Sequence, residues 1–315
     1  MTERAQGEHG RSAAGGRKRA SATPRARKRF AQHFLEAVWV RKVADAIAPA
    51  AADVFLEIGP GTGALTSALA GRGAQVLAVE IDRDLVARLR TAASPGVRVV
   101  EGDILRVDLR ALADQALAAA STGQAGTVRS VQPTGPGPAR RLRIVGNLPY
   151  NISSPVLFRL MALVSGTDLV ADATLMLQEE VAERVVAPAG TRDYGPLSIL
   201  VQMRADARRL LVLPPGAFRP PPRVRSALVS LVFRGPRVAV TDERLFAAMV
   251  RAVFTQRRKT LTNALRPFAS VHGHQAGAVL AGAGIDGGRR PETLTLAELA
   301  RLAAALRPVD PTAVL

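Results

Sequence analysis

The feature that most constrains the fold is a regular alternation of short apolar runs with amphipathic segments, which begins near residue 40. The runs typical of buried strands are VFLEIG (54–59), QVLAVEID (75–82), VRVVEGD (97–103), RIVGNLPY (143–150) and TLMLQ (174–178). GALTSALAGRG (63–73) and DLVARLR (84–90) follow the first two runs and show helical periodicity. Strands that alternate with short helices predict βαβ units, and therefore an α/β fold with a parallel sheet.

The last quarter of the chain has a different pattern, in which helical periodicity is continuous. ERLFAAMVRAVF (243–254) places its large apolar residues on one face, and Thr295 forms a capping box with Glu298 before LARLAAAL. A chain of 315 residues is also too long for one average domain. We therefore predict an α/β domain over residues 30–236 and a small all-helical domain over residues 237–315.

Two further segments lack the composition of a packed domain. Residues 1–29 contain nine Lys and Arg against Glu3 and Glu8, with few large apolar residues, which predicts a disordered basic tail. Such a tail is either solvated or lies on the phosphates of a nucleic acid. Residues 111–142 are rich in Ala, Gly and Pro and show no periodicity, which predicts a flexible surface insertion rather than a functional lid.

The composition bears on the partner and the compartment. Lys and Arg total 43 against 26 Asp and Glu, and the net charge of +17 favours a polyanionic partner such as a nucleic acid. Only four of these cations are lysines, so GC-rich coding accounts for part of the arginine surplus. The chain contains no cysteine, which excludes disulfides and thiolate metal sites, and we expect no metal centre. No apolar run reaches the ~18–20 residues that cross a bilayer and no signal peptide is visible, which indicates a soluble cytoplasmic protein without a membrane partner.

A glycine-rich segment, EIGPGTGAL (57–65), joins the first predicted strand to its helix. Gly59, Gly61 and Gly63 lack a Cβ atom, so a ligand can approach the backbone at this turn. The G-x-G-x-G spacing differs from the dinucleotide fingerprint. Taken alone, the segment fits either a nucleotide-like cofactor or a structural turn.

Two acidic residues, Glu80 and Asp103, end the next two predicted strands. Glu80 lies 21 residues after Gly59, where a carboxylate can accept hydrogen bonds from ribose hydroxyls. The carboxyl ends of parallel strands share one edge of the sheet, so these residues are expected around one crevice. Acids that recognise a ribose and an adenine, without a lysine-bearing phosphate loop, favour S-adenosylmethionine over NAD or ATP.

The tetrapeptide Asn147-Leu148-Pro149-Tyr150 follows the fourth predicted strand, at the same edge. An aromatic amine is a poor nucleophile because its lone pair is delocalised into the ring. The Asn147 side-chain oxygen and the Pro149 carbonyl could accept its two hydrogens and orient that lone pair, with no strong base required. Tyr150 offers a face on which a flipped adenine can stack. Elsewhere in a chain, the same tetrapeptide would be an ordinary turn.

The order of several motifs resembles the ribosomal RNA adenine N6-dimethyltransferases, over about residues 29–308. The motifs are FAQHFLEAV, EIGPGTGALT, VEID, GDIL, GNLPYNISSPVLF, MLQEEVAERV, YGPLSIL, AFRPPPRVRSALV and FTQRRKTLTNAL. The chain is most similar to the bacterial enzymes that dimethylate two adjacent adenines near the 3′ end of 16S rRNA. The resemblance implies a Rossmann-like class I methyltransferase domain, a helical domain, S-adenosylmethionine as cofactor, and a monomer whose partner is 16S rRNA in the small ribosomal subunit.

The resemblance also assigns residues. The residues that it places at the cofactor are His33, Leu35, Gly59, Glu80, Asp103 and Asn147. Phe218 is implied as a second aromatic face on the target base, although a buried loop anchor is an equal alternative. Arg257, Arg258 and Lys259 are implied to face RNA; a solvated charged turn is the other interpretation. The insertion over 111–142 has no counterpart in the family.

Three other functions remain open at this stage. The first is a 23S rRNA adenine methyltransferase of the type that confers macrolide resistance. The second is a ribosome assembly factor without catalytic activity, although binding alone would not need the amine acceptors at Asn147 and Pro149. The third is a DNA adenine methyltransferase, which the match to the ribosomal RNA family disfavours.

Overall fold

The computed structural model describes residues 32–121 and 140–306. The basic tail predicted over 1–29 lies outside these residues. So do residues 122–139 of the predicted insertion and the end of the predicted helical domain beyond residue 306.

The structure contains the predicted strands and helices together with others that the sequence pattern did not predict. The strands in the described ranges are β1 (Phe34–Leu35), β2 (Val54–Ile58), β3 (Gln75–Glu80), β4 (Val97–Glu101), β5 (Leu142–Asn147), β6 (Val170–Gln178), β7 (Ala205–Leu213), β8 (Phe218–Arg219) and β9 (Ser226–Phe233). The helices are α1 (Ala37–Ile47), α2 (Ala64–Ala70), α3 (Arg83–Ala92), α4 (Leu109–Ser121), α5 (Ser153–Val164), α6 (Glu179–Val186), α7 (Pro196–Gln202), α8 (Glu243–Phe254), α9 (Leu261–Val271), α10 (Ala276–Ala283) and α11 (Leu296–Ala305).

A seven-stranded sheet organises the first two thirds of the chain, in the order β4-β3-β2-β5-β6-β9-β7. The strands β2 to β6 pair in parallel, which confirms the five predicted strands and the predicted fold class. β9 pairs antiparallel with both β6 and β7 at one end of the sheet. β1 and β8 form a separate antiparallel pair, with Phe34 opposite Arg219 and Leu35 opposite Phe218.

Both faces of the sheet are covered by helices, and the period of two along each strand divides the apolar side chains between them. On β2, Leu56 and Ile58 pack into a core with α4 and α5, whereas Phe55 packs on the opposite face with α1 and α2. Every residue of β2 is buried, which explains why the strand is apolar throughout except at Glu57. The carboxyl edge of the parallel strands is left open between these layers.

The structure corrects the predicted insertion over 111–142. Its first eleven residues belong to α4, and Leu112, Ala113, Ala116 and Ala120 are buried against the sheet. These residues recur at helical spacing, but alanine contributes so little apolar contrast that the period is hidden in an alanine-rich segment. At the other end, β5 begins at Leu142.

The helices α8 to α11 form their own apolar core, which also takes in Tyr194 and Ile199 from the α/β part. Thr295 accepts a hydrogen bond from the Glu298 amide and Glu298 bonds back to the Thr295 amide, so the predicted capping box is confirmed. Because one core contains residues from both sides, the domain boundary at 236/237 stays a prediction. No helix in the described ranges has the length and apolarity that a bilayer crossing requires.

Candidate active site

The glycine-rich turn lies at the carboxyl edge of β2, between that strand and α2. Gly59, Gly61 and Gly63 have φ angles of +66°, +59° and +80°, a region that favours glycine over residues with a side chain. A Cβ atom on Gly61 would lie 3.1 Å from the Phe34 ring. The turn therefore exposes backbone rather than side chains to the pocket at this edge.

Glu80 ends β3 and is held by backbone donors. Its carboxylate accepts hydrogen bonds from the amides of Gly61, Ile81 and Asp82, each at 3.0 Å. A carboxylate offers about four acceptor positions, so one remains on the oxygen that Gly61 contacts. Burial raises the pKa of Glu80, and the backbone bonds oppose that shift. The side chain is thus fixed in orientation and can still accept one hydrogen bond from a ligand.

The pocket brings the predicted cofactor residues together. Asp103 follows β4, and its Oδ1 accepts a hydrogen bond of 2.9 Å from the Leu105 amide. His33 and Leu35 line the same pocket from the β1 segment. The predicted residues that line the pocket are His33, Leu35, Gly59, Gly61, Glu80, Asp103, Asn147, Pro149 and Tyr150.

Glu57 and Ile81 also line the pocket and were not among the predicted site residues. Glu57 is only 2% exposed, and burial raises its pKa to about 7 even though the Thr66 hydroxyl donates to it at 2.6 Å. The signal for Glu57 was an acid inside an otherwise apolar strand. Ile81 lines the pocket with 44% of its surface exposed. The sequence feature that could have identified Ile81 is its position directly after Glu80.

Asn147 ends β5 with its amide oriented by a distant segment. The Asn147 Nδ2 donates to the His33 carbonyl oxygen at 2.7 Å. Because a carbonyl only accepts, this bond fixes which side of the amide carries the nitrogen. Within residues 32–121 and 140–306, Oδ1 has no hydrogen-bond donor, so it is available to a ligand amine.

The structure argues against Pro149 as the second amine acceptor. Its carbonyl already accepts the Ile152 amide at 3.0 Å and the Ser153 hydroxyl at 3.1 Å, which occupies both lone pairs. The preceding carbonyl, that of Leu148, accepts no hydrogen bond from any described residue, and Leu148 also lines the pocket. Among the described residues, the carbonyl next to Asn147 that accepts no hydrogen bond is therefore that of Leu148, one residue before the predicted acceptor Pro149.

Tyr150 is anchored at both its hydroxyl and its ring. The hydroxyl hydrogen-bonds to Ser226 Oγ at 2.7 Å, and the ring stacks on His33 with 5.5 Å between centroids. One face of Tyr150 is thus occupied by the protein, and its side chain is half-buried at the pocket wall. Burial raises the pKa of the Tyr150 hydroxyl, which stays protonated at neutral pH.

Phe218 does not form the second aromatic face that the resemblance implied. It is 2% exposed and packs with Val43 and Ala44 of α1 in the core beneath the sheet. Its backbone pairs with Leu35, which packs against the same core, and Phe218 does not line the pocket. Phe218 is therefore a buried anchor for the β1–β8 pair.

The basic turn predicted to face RNA lies between α8 and α9, and none of its cations lines the pocket. Arg258 and Lys259 are exposed, as a polyanion contact requires. Arg257 donates to the Arg192 carbonyl at 2.7 Å and is half-buried, so part of its hydrogen-bonding capacity holds a neighbouring loop. The RNA contacts of all three residues stay a prediction.

The chain is similar to known proteins in sequence. The sequence matches the family described as "Ribosomal RNA adenine dimethylase" over residues 23–304. It is 45% identical over 280 residues to "Ribosomal RNA small subunit methyltransferase A" of Anaeromyxobacter sp. (strain K), covering 88% of this chain and 92% of the relative. The protein of the same name from Geobacter metallireducens is 42% identical over 287 residues, covering 90% and 96%.

Two solved structures share the fold. A dimethyladenosine transferase from Plasmodium falciparum superposes with a TM-score of 0.63 at 23% identity, covering 86% of this chain and 96% of that one. The 23S rRNA methyltransferase ErmE superposes with a TM-score of 0.57 at 23% identity, covering 87% and 99%. At this identity the likeness shows a common fold and does not distinguish between substrates.

Proposed function

The chain belongs to the ribosomal RNA adenine dimethylase family, and on that premise we propose that it dimethylates N6 of two adjacent adenines near the 3′ end of 16S rRNA in the small ribosomal subunit. The observation that carries the proposal is Asn147 Oδ1, which accepts no hydrogen bond from any described residue and lies in the same pocket as Glu80 and Asp103. An amine acceptor fixed in orientation at that place suits transfer to an exocyclic amine. Binding alone would not require it.

We propose S-adenosylmethionine as the cofactor, because the residues of the pocket fit its parts. The open acceptor position on Glu80 suits a ribose hydroxyl, and Asp103 suits an adenine amine. The exposed apolar surface of Ile81 suits the face of a purine ring. Gly59 and Gly61 place no side chain at the pocket wall, and their positive φ angles favour glycine at both positions.

In the proposed mechanism, this chain positions the amine. When bound, the cofactor supplies an electrophilic methyl group whose transfer leaves a neutral thioether. Asn147 Oδ1 and the Leu148 carbonyl accept the two hydrogens of adenine N6 and direct its lone pair into the pocket. The open face of Tyr150 stacks on the extruded base, a contact worth about 1–3 kcal/mol. No strong general base is needed, and the released proton passes to solvent.

The choice of 16S rRNA over other nucleic acids follows the names of the curated relatives, which act on the small subunit. The likeness to ErmE does not favour 23S rRNA, because it shows the fold alone. We also propose that the protein acts as a monomer, which light scattering of the purified chain tests.

The experiment is incubation of the protein and labelled cofactor with unmethylated small subunits, large-subunit RNA and DNA, followed by mass mapping of the products. We expect dimethyladenine in small-subunit RNA. Dimethyladenine only in large-subunit RNA or DNA would overturn the proposed substrate.

Substitution of Asn147 tests the mechanism. Asn147→Ala removes the oriented acceptor, and we expect transfer to fall by about 100-fold or more while RNA binding is retained. Asn151→Ala is the matched control, because Asn151 is exposed and does not line the pocket. An equal loss of RNA binding in Asn147→Ala would assign the residue to substrate binding instead.

A further inference from the structure

The loop over residues 214–225 stands beside the amine acceptor, and we call it the rim loop. It connects β7 to β9 through β8, and both Leu213 and Gln178 are paired with Ser226 at its end. Gln178 ends β6, and Met176 two residues earlier is paired with Asn147 of β5. The rim loop therefore lies at the same edge of the sheet as Asn147.

Two hydrogen bonds connect the rim loop directly to the pocket wall. The His33 ring donates from Nδ1 to the Pro220 carbonyl at 2.7 Å, since a carbonyl can only accept. Tyr150 bonds to Ser226, the residue that follows the loop, at 2.7 Å. A nucleotide that enters the pocket against Tyr150 therefore has the rim loop as its neighbour.

The rim loop is basic and contains no acidic residue. Arg219 pairs with Glu36, and Arg225 pairs with Glu179 at 3.3 Å, so acids elsewhere in the chain neutralise these two arginines. Arg223 is exposed and has no hydrogen bond or ion pair with any residue of the described ranges. It is the arginine of this loop whose charge is left for a partner.

The loop is also stiff and partly apolar at its surface. Three consecutive prolines, 220–222, fix their φ angles and so limit the entropy lost when a ligand binds. Val224 follows Arg223 and is 45% exposed. A fixed cation beside an exposed apolar side chain is complementary to one nucleotide of a single strand, with its phosphate and its sugar or base.

We propose that Arg223 and Val224 hold the nucleotide next to the adenine in the pocket. Arg223 pairs with the phosphate between the two nucleotides, and Val224 packs against the neighbouring sugar or base. This inference rests on the proposed function, since it takes the pocket to hold an adenine of an RNA strand. For two adjacent target adenines, the contact holds one while the other reacts. Arg223 is a positioning residue, because it touches the flanking phosphate rather than the reacting amine.

The test compares the full-length protein with Arg223→Ala, Arg223→Lys and Arg98→Ala. Arg98 is exposed on β4, the edge strand farthest from β7, and its removal subtracts the same charge from a distant surface. For each protein we measure kcat and KM on unmethylated small subunits. The salt dependence of binding is measured with a labelled RNA hairpin that has single-stranded adenines. Thermal melting confirms that each variant is folded.

We expect Arg223→Ala to raise KM about tenfold with kcat within about twofold, and to reduce the slope of log K against log salt by about 0.7–1. Arg223→Lys keeps the charge and should restore the slope, whereas Arg98→Ala should match the wild type. A wild-type salt slope in Arg223→Ala would overturn the proposal. Absence of small-subunit methylation by the wild type would refute the proposed function instead, while the hairpin slope would still decide the role of Arg223.

Discussion

The buried acid Glu57 makes stability depend on pH in a direction that can be measured. Burial raises its pKa from 4.5 to about 7 in the folded protein. Between these pH values the Glu57 carboxyl is ionised in the unfolded chain and protonated in the folded chain. The contribution of Glu57 to the free energy of unfolding is therefore fully present below pH 4.5 and is lost as pH rises through 7. The full shift corresponds to about 3 kcal/mol of stability.

Glu57→Gln removes the ionisation and keeps an oxygen that can accept from Thr66. Linkage gives a wild-type penalty of about 1 kcal/mol at pH 5 and about 3 kcal/mol at pH 8, so the advantage of Glu57→Gln should grow by roughly 2 kcal/mol between them. Urea unfolding without cofactor at both pH values measures this difference. Glu183→Gln, at an exposed position, is the control. An advantage for Glu57→Gln that is equal at both pH values would refute the desolvation argument.

Two further predictions test the core and a helix cap. Phe218→Ala should lower the free energy of unfolding by about 3–5 kcal/mol, because the ring is fully buried. A loss of methylation with unchanged stability would instead indicate that Phe218 contacts the target adenine. Glu298 has its pKa lowered to about 2 by Arg289 and the Thr295 cap, so its contribution is present above pH 4.5 and is lost as pH falls towards 2. Glu298→Gln should therefore destabilise the protein at pH 7 and have a smaller effect at pH 2. Thermal melting followed by circular dichroism at both pH values measures the difference.

Much of the fold follows from local pattern. The five parallel strands and the glycine turn are confirmed because apolar runs, glycine and strand–helix alternation act over a few residues. The antiparallel strands β7 and β9 were not predicted. β7 is an edge strand whose residues are mostly half-buried or exposed, so it lacks a continuous apolar run. Helix α4 was not predicted for a similar reason. Its buried face consists largely of alanine, which differs too little in hydropathy from the exposed face to show a clear helical period.

For the candidate site as well, the sequence predicted which residues meet, whereas the structure was needed to show which of their atoms are available. The sequence alone determined that Gly59, Glu80, Asp103 and Asn147 meet at one edge, because parallel strands end on the same side. It could not determine that Phe218 is buried, because the same aromatic residue suits a core and a base-binding face.

Only the tertiary structure decided which atoms are free to act. Asn147 Oδ1 is available because the other side of its amide bonds to His33, 114 residues earlier in the chain. The Pro149 carbonyl is occupied by the helix start that follows it. The Asn147 bond depends on how a distant segment packs, which residue spacing does not encode, and the Pro149 bonds depend on the turn that the chain adopts before α5.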